Sequence, residues 1–188
     1  MEDPEINQLW KNCASIGLPA EFNMSEDGRY RITRIPLLRD AVSYTMSGKP
    51  AVKKPLSDQV SGNTNIGAML LFNYPSTWNH LMVDHAISFR VLPISAEETM
   101  VTTKWLVHKD AVEGVDYDLD ELTHVWIQTN DQDRQIVEEN AIGIRSPAYQ
   151  PGPYSVEHEG GVMQFLEWYT NTITPRLKGE AAKLSRVA

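Results

Sequence analysis

Between positions 66 and 108 three apolar runs follow one another with joints too short to hold a crossover helix. They are 66–74, 80–92 (closed by Pro93) and 99–108, with Ser95-Ala96-Glu97-Glu98 as a turn between the last two. Strands joined this closely must run antiparallel, because a parallel pair needs a connection of a dozen residues or more. A meander at the centre of the chain is therefore the strongest constraint on its fold. A shorter strand precedes it: Asp27-Gly28 signals a turn, and Tyr30 and Ile32 alternate with Arg31 and Thr33.

Helices flank this sheet. Asp3 is a plausible N-cap, Pro4 suits a first helical position, and Ile6, Leu9, Trp10 and Cys13 make one apolar stripe that ends before Gly17. After Asp118, which suits an N-cap, helical spacing runs to about Ile142, with Gly143 as its end. A last helix carries Val162, Phe165, Leu166, Tyr169 and Ile173 on one face and is expected to break at Pro175. The polar stretch 47–65 reads as a long surface loop. The fold class predicted is α+β, an antiparallel sheet backed by helices, with one domain over 1–178 and a short tail over 179–188. With 188 residues such a domain buries a real core.

Seventeen basic against twenty-five acidic side chains leave a net charge of −8, the reverse of what an unassisted nucleic-acid binder shows. No nucleic-acid partner is expected. No apolar run approaches the roughly 18 residues that cross a bilayer, and the start Met1-Glu2-Asp3-Pro4-Glu5 lacks a signal peptide's apolar core. A cytoplasmic protein without a membrane partner is the expectation. One cysteine, Cys13, excludes an intrachain disulfide and any cysteine-held cluster built by this chain alone, and it reads as a small buried apolar residue. The glycines lack the spacing of a phosphate-cradling loop, and no serine sits in a nucleophile elbow.

The long helix poses the sharpest chemical question. At about 100° per residue, Leu122, Trp126, Thr129, Asp133, Val137 and Asn140 share one face, with Asp131 nearly opposite Asp133. A carboxylate on the face turned to a sheet needs a reason, since burying it unpartnered costs several kcal/mol or more. A buried polar network, a metal ion and a protonated catalytic acid all supply one. Among the histidines, His85 falls on the apolar side of the run with Leu81, Val83, Ile87, Phe89 and Val91, so it lines the interior. His80, five residues away, falls on the opposite face of a regular strand, and the two are not expected to grip one ion. His108, His124 and His158 read as surface residues. Five tryptophans and seven tyrosines are enough for an aromatic cage around a quaternary ammonium ion.

The run TNDQDRQIVEENAIGIRS at 129–146 resembles the end of the catalytic domain of Rieske non-haem iron oxygenase α-subunits. The stretches YQPGPYS at 149–155, VMQFLEWY at 162–169, FNYPS at 72–76 and RVLP at 90–93 are similar to the same family. The branch resembled is the glycine betaine monooxygenase group, which demethylates quaternary ammonium compounds. The resemblance implies a helix-grip fold, a curved antiparallel sheet wrapped around a long C-terminal helix with the cavity between them. It implies Asp133 as the carboxylate of a two-His, one-carboxylate Fe(II) site. A cavity for a small apolar or cationic ligand is expected to be lined by some of His85, Phe89, Trp105, Trp126 and Trp168. The family's paired iron histidines and its Rieske 2Fe–2S domain precede the matched region, so both are expected outside this chain, which alone is expected to hold no metal stably and to be inactive. In the intact enzyme the implied partners are a small-molecule substrate, O₂ and a reductase, in a homotrimer. The alternative is a helix-grip protein that binds a small apolar or cationic ligand without redox chemistry, and an interaction module is a third reading.

Overall fold

The structure, a computed structural model, describes residues 4–37, 40–60, 62 and 65–184. The fold is α+β, as the sequence predicts. Six strands, β1 (Asn23–Met24), β2 (Tyr30–Ile35), β3 (Ala68–Asn73), β4 (Thr77–Leu81), β5 (His85–Pro93) and β6 (Thr99–Val107), form one sheet in chain order. Every neighbouring pair is antiparallel. Helix α1 (Pro4–Ser15) precedes the sheet, and α2 (Leu119–Gly143) and α3 (Gly160–Leu184) follow it.

Where one strand was expected over 80–92, there are two. Leu81 ends β4, Met82, Val83 and Asp84 turn the chain, and His85 begins β5. The turn is closed by the Met82 N–H donating to the His85 carbonyl at 3.0 Å. It was hidden because the run holds no Gly, Pro or Asn and its one turn-forming residue, Asp84, stands between apolar and histidine neighbours. Its effect on facing is large. His80 stands opposite Ile87 in the register, so His80 and His85 share one face of the sheet.

That face carries Leu70, Phe72, Trp78, His80, His85, Ile87, Phe89 and Trp105. The other face takes α1. Leu9 and Cys13 pack with Ala20, Val60, Ile66 and Val83, and the free Cys13 thiol is fully buried. Arg34 is buried in this layer and donates to the carbonyls of Pro19 and Ile66. Gly67 has a positive φ of 61°, and a Cβ there would strike the Ile35 carbonyl and Leu9, so the strand entry requires glycine.

Asp118 caps α2 as expected, its carboxylate accepting from the Glu121 N–H at 3.0 Å. Pro4 opens α1, while the expected cap Asp3 lies outside the described residues. α3 does not break at Pro175 but runs through it to Leu184. Proline removes one bond to the carbonyl four residues back, and that residue, Asn171, lies on the exposed side of the helix, where losing the bond costs least. Residues 185–188 of the expected tail lie outside the described residues. Within the stretch 47–65, expected as a surface loop, Ala51, Val52 and Val60 are buried and 58–60 form a 3-10 turn, while most of the other described residues are exposed or half-buried. No described helix is long and apolar enough to cross a membrane.

Candidate functional site

Ile87, fully buried, sits at the centre of the covered face of the sheet. His80 lies beside it on β4 and Trp105 on β6. His85 and Phe89 lie two residues to either side along β5. Trp126 of α2 comes down over this group, its ring centroid 5.0 Å from those of His80 and Phe89. Tyr44, from the segment before β3, meets His80 and Trp126 edge-on at 5.7 and 5.9 Å. Trp78 stacks on Phe89 at 4.9 Å. The result is a layer of five aromatic rings and two imidazoles between sheet and helix.

Under that layer lies a buried polar hub. Asp84 is 1% exposed, and its carboxylate accepts from the Ser43 hydroxyl at 2.6 Å and from the N–H groups of Ala51 and Val52 at 2.8 and 3.2 Å. His85 Nδ1 lies 3.1 Å from the same carboxylate. Burial alone would raise the Asp84 pKa. The hydrogen bond and field of His85, with the bonds from Ser43 and Val52, outweigh it and hold the carboxyl below its ordinary value. Asp84 therefore stays ionised, and His85 must present Nδ1–H to it, which leaves Nε2 as the free ring nitrogen. This hub explains why Ala51 and Val52 turn inward: their backbone N–H groups have a carboxylate to meet.

Among the described residues, four nitrogens of the layer are buried without a hydrogen-bond partner: His80 Nδ1, His85 Nε2, Trp105 Nε1 and Trp126 Nε1. Desolvation lowers the His80 pKa to about 4, so that ring is neutral near pH 7.

Of the residues expected to line a cavity, the structure brings His85, Phe89, Trp105 and Trp126 together. Trp168 does not join them. It lies on α3 against Tyr74 and Phe165, with ring centroids at 5.8 and 6.2 Å, where α3 docks on the turns of the sheet. There Tyr74 donates to the Gly161 carbonyl and Gln164 to the Gly28 carbonyl. Asp84, Ser43, Tyr44, Trp78 and His80 join the site without having been singled out. The signal for Asp84 was present: a lone acid inside an apolar run, the same signal that drew attention to Asp133.

Asp133 is on a helix, as expected, but not turned into the sheet. Leu122 is buried and Trp126 half-buried, and the Asn130 amide donates to the Thr103 hydroxyl at 3.0 Å. Beyond Asn130 the described face of α2 is exposed. Val137 is 65% exposed, and Val101, which continues the covered face of β6, is 55% exposed. Nothing described covers the carboxylate. Asp131 pairs instead with Arg134 at 3.5 Å on the outer side. No group of three or more His, Cys, Asp or Glu able to hold a metal occurs among the described residues.

A family profile described as "Ring hydroxylating alpha subunit (catalytic domain)" matches residues 11–174. The chain belongs to that family. This ring-hydroxylating α-subunit domain is also 55% identical over 193 residues to the glycine betaine monooxygenase oxygenase subunit of Pseudomonas aeruginosa (strain UCBPP-PA14), covering 99% of this chain and 44% of that protein. It is 50% identical over 156 residues to the glycine betaine monooxygenase oxygenase subunit of Chromohalobacter salexigens, covering 83% of this chain and 35% of that protein. The domain thus spans less than half the length of these relatives.

Proposed function

We propose that this chain is the substrate-binding part of a Rieske-type monooxygenase that oxidatively demethylates a quaternary ammonium compound such as glycine betaine. The observation that carries the reading is the aromatic layer of Tyr44, Trp78, Phe89, Trp105 and Trp126 beneath α2. Ring faces attract a trimethylammonium group by about 0.5–2 kcal/mol each, most when water is excluded. The relatives named above act on a compound of that kind by their printed names.

The residues described do not make an iron centre by themselves. A facial triad needs two histidines and a carboxylate, and Asp133 stands exposed and apart from His80 and His85. Asp133 is proposed as the one iron ligand of this chain, with the two histidines, the 2Fe–2S cluster and the reductase supplied from outside it. A homotrimer and a cytoplasmic location belong to the same proposal.

Calorimetry with the 188-residue chain tests it. Glycine betaine, choline or carnitine should give a saturable heat, and the chain should carry no stoichiometric iron. Silence toward every quaternary ammonium ligand overturns the cage. Stoichiometric iron, or demethylation by this chain with a reductase, overturns the division of the iron site.

A further inference from the structure

The two edges of the sheet are finished differently. β1 is two residues long, and a very short edge strand is one way proteins keep a sheet from recruiting more strands. β6, at the other edge, runs nine residues with no proline, no bulge against β5 and a single charged side chain, Lys104. The direction of its backbone groups follows from its neighbours. In an antiparallel pair, residues that exchange hydrogen bonds alternate with residues that turn their N–H and C=O away. The Ile94 N–H donates to the Glu98 carbonyl at 2.9 Å, one step beyond the opposed Pro93 and Thr99. In the same register Met100, Thr102, Lys104 and Leu106 are then the residues that bond to β5. The far side of β5 agrees. The Val91 N–H donates to Ser76 and the Met82 N–H to His85, so His85, Ile87, Phe89 and Val91 face β4 and the residues between them face β6. Thr99, Val101, Thr103, Trp105 and Val107 therefore turn their N–H and C=O outward, and no described strand lies there to meet them.

β6 is also apolar on both sides. Val101 on the α2 side and Met100 and Leu106 on the other are all exposed. That pattern suits a strand inside a sheet with both faces covered, not an edge. We propose that the outer edge of β6 pairs with an extended strand supplied by polypeptide outside these 188 residues, which makes β6 an interior strand of a wider sheet. The size of the relatives argues for this occupant: the chain spans 44% of one and 35% of the other, so more than half of each lies beyond the match. A second copy of this chain fits less well, because it brings a further net charge of −8 to the same edge. The incoming strand supplies main-chain bonds to the five outward residues and apolar side chains beside Val101 and Trp105 on one face and Met100 and Leu106 on the other. The pairing is independent of the ligand that the aromatic layer takes.

Hydrogen exchange read by mass tests the proposal on two proteins, the 188-residue chain and the full-length oxygenase subunit of the Pseudomonas aeruginosa relative. In the chain, the peptide over 99–107 should exchange about half of its amides at least about tenfold faster than the rest. In the full-length subunit the matching peptide should lose that fast half. A fast half retained there overturns the proposal, and so does uniformly slow exchange in the monomeric chain. Proline scanning sharpens the result. Val101→Pro removes no bond to β5 and should leave the Tm of the chain within about 2 °C, whereas Thr102→Pro breaks the ladder and should lower it by about 5 °C or more. Proline at the position matching Val101 in the full-length subunit should lower its Tm as well, and an unchanged Tm there overturns the pairing. A chain that sediments as a dimer, and as a monomer after Val101→Pro, assigns the edge to a second copy and overturns the proposal too. The full-length subunit decides the matter even where a variant of the short chain does not fold.

Discussion

Asp84 and Asp133 each interrupt a run of apolar residues, and they occupy opposite surroundings. Asp84 is sealed at the turn between β4 and β5, with a hydroxyl, two backbone N–H groups and an imidazole around it. Asp133 stands on α2 one turn past the last contact with the sheet. An acid inside an apolar pattern tells that something must meet it. Which acid is met within this chain depends on what the rest of the fold brings alongside. For Asp84 that is the inward path of residues 43–52; for Asp133 nothing described arrives.

The contrast can be broken first at its centre. Asp84→Ala should cost about 3–5 kcal/mol, because it strands three donors and His85 in a buried place. Urea denaturation measures it, and a loss below about 1 kcal/mol would show that the hub does not hold the 43–52 segment. The two halves of α2 give the next contrast. Leu122→Ala should cost about 2–4 kcal/mol by opening a cavity over β6, whereas Val137→Ala on the exposed half should stay within about 0.5 kcal/mol.

Acid sharpens the distinction between the site's titrating groups. His80 has a folded pKa of about 4 against 6.5 when free, so the unfolded chain takes the proton first. Its contribution is complete above about pH 6.5 and is lost as the pH falls toward 4. Asp84, held below its ordinary value, begins to withdraw its contribution only under still more acidic conditions. Thermal melts between pH 7 and pH 4 should therefore show a falling Tm, and His80→Phe should flatten that slope while leaving the more acidic limb. The smallest effect belongs to Asp133→Asn, within about 0.5 kcal/mol in the same denaturation assay, as for any exposed site. A larger loss would mean that the carboxylate has a structural partner.

The sequence made the helices and the meander legible because caps and periodicity are local. Asp118 and Gly17 behave as their residue types require, whereas the alternation expected in β2 does not appear: Tyr30 is exposed and Arg34 is the buried residue. The β4–β5 turn was not legible, because Met82-Val83-Asp84 carries a single turn-forming residue, Asp84, with no Gly or Pro beside it, and one missed turn reversed the facing of His80. Trp168 looked like a cavity residue by type alone; its place was set by where α3 docks, which no local pattern encodes. The stripe of α2 was read in the correct phase at Leu122 and Trp126, but phase does not say where a helix leaves its sheet.

The strict chain order of the six strands has a kinetic side. From β3 onward each strand finds its partner in the next stretch of polypeptide across a short turn, and the long closure is the one between β2 and β3, over 36–67. Sheets whose pairings span the whole chain fold slowly, and the β3–β6 meander avoids that delay. It can zip hairpin by hairpin, with the buried Asp84 turn as a natural point from which pairing spreads in both directions.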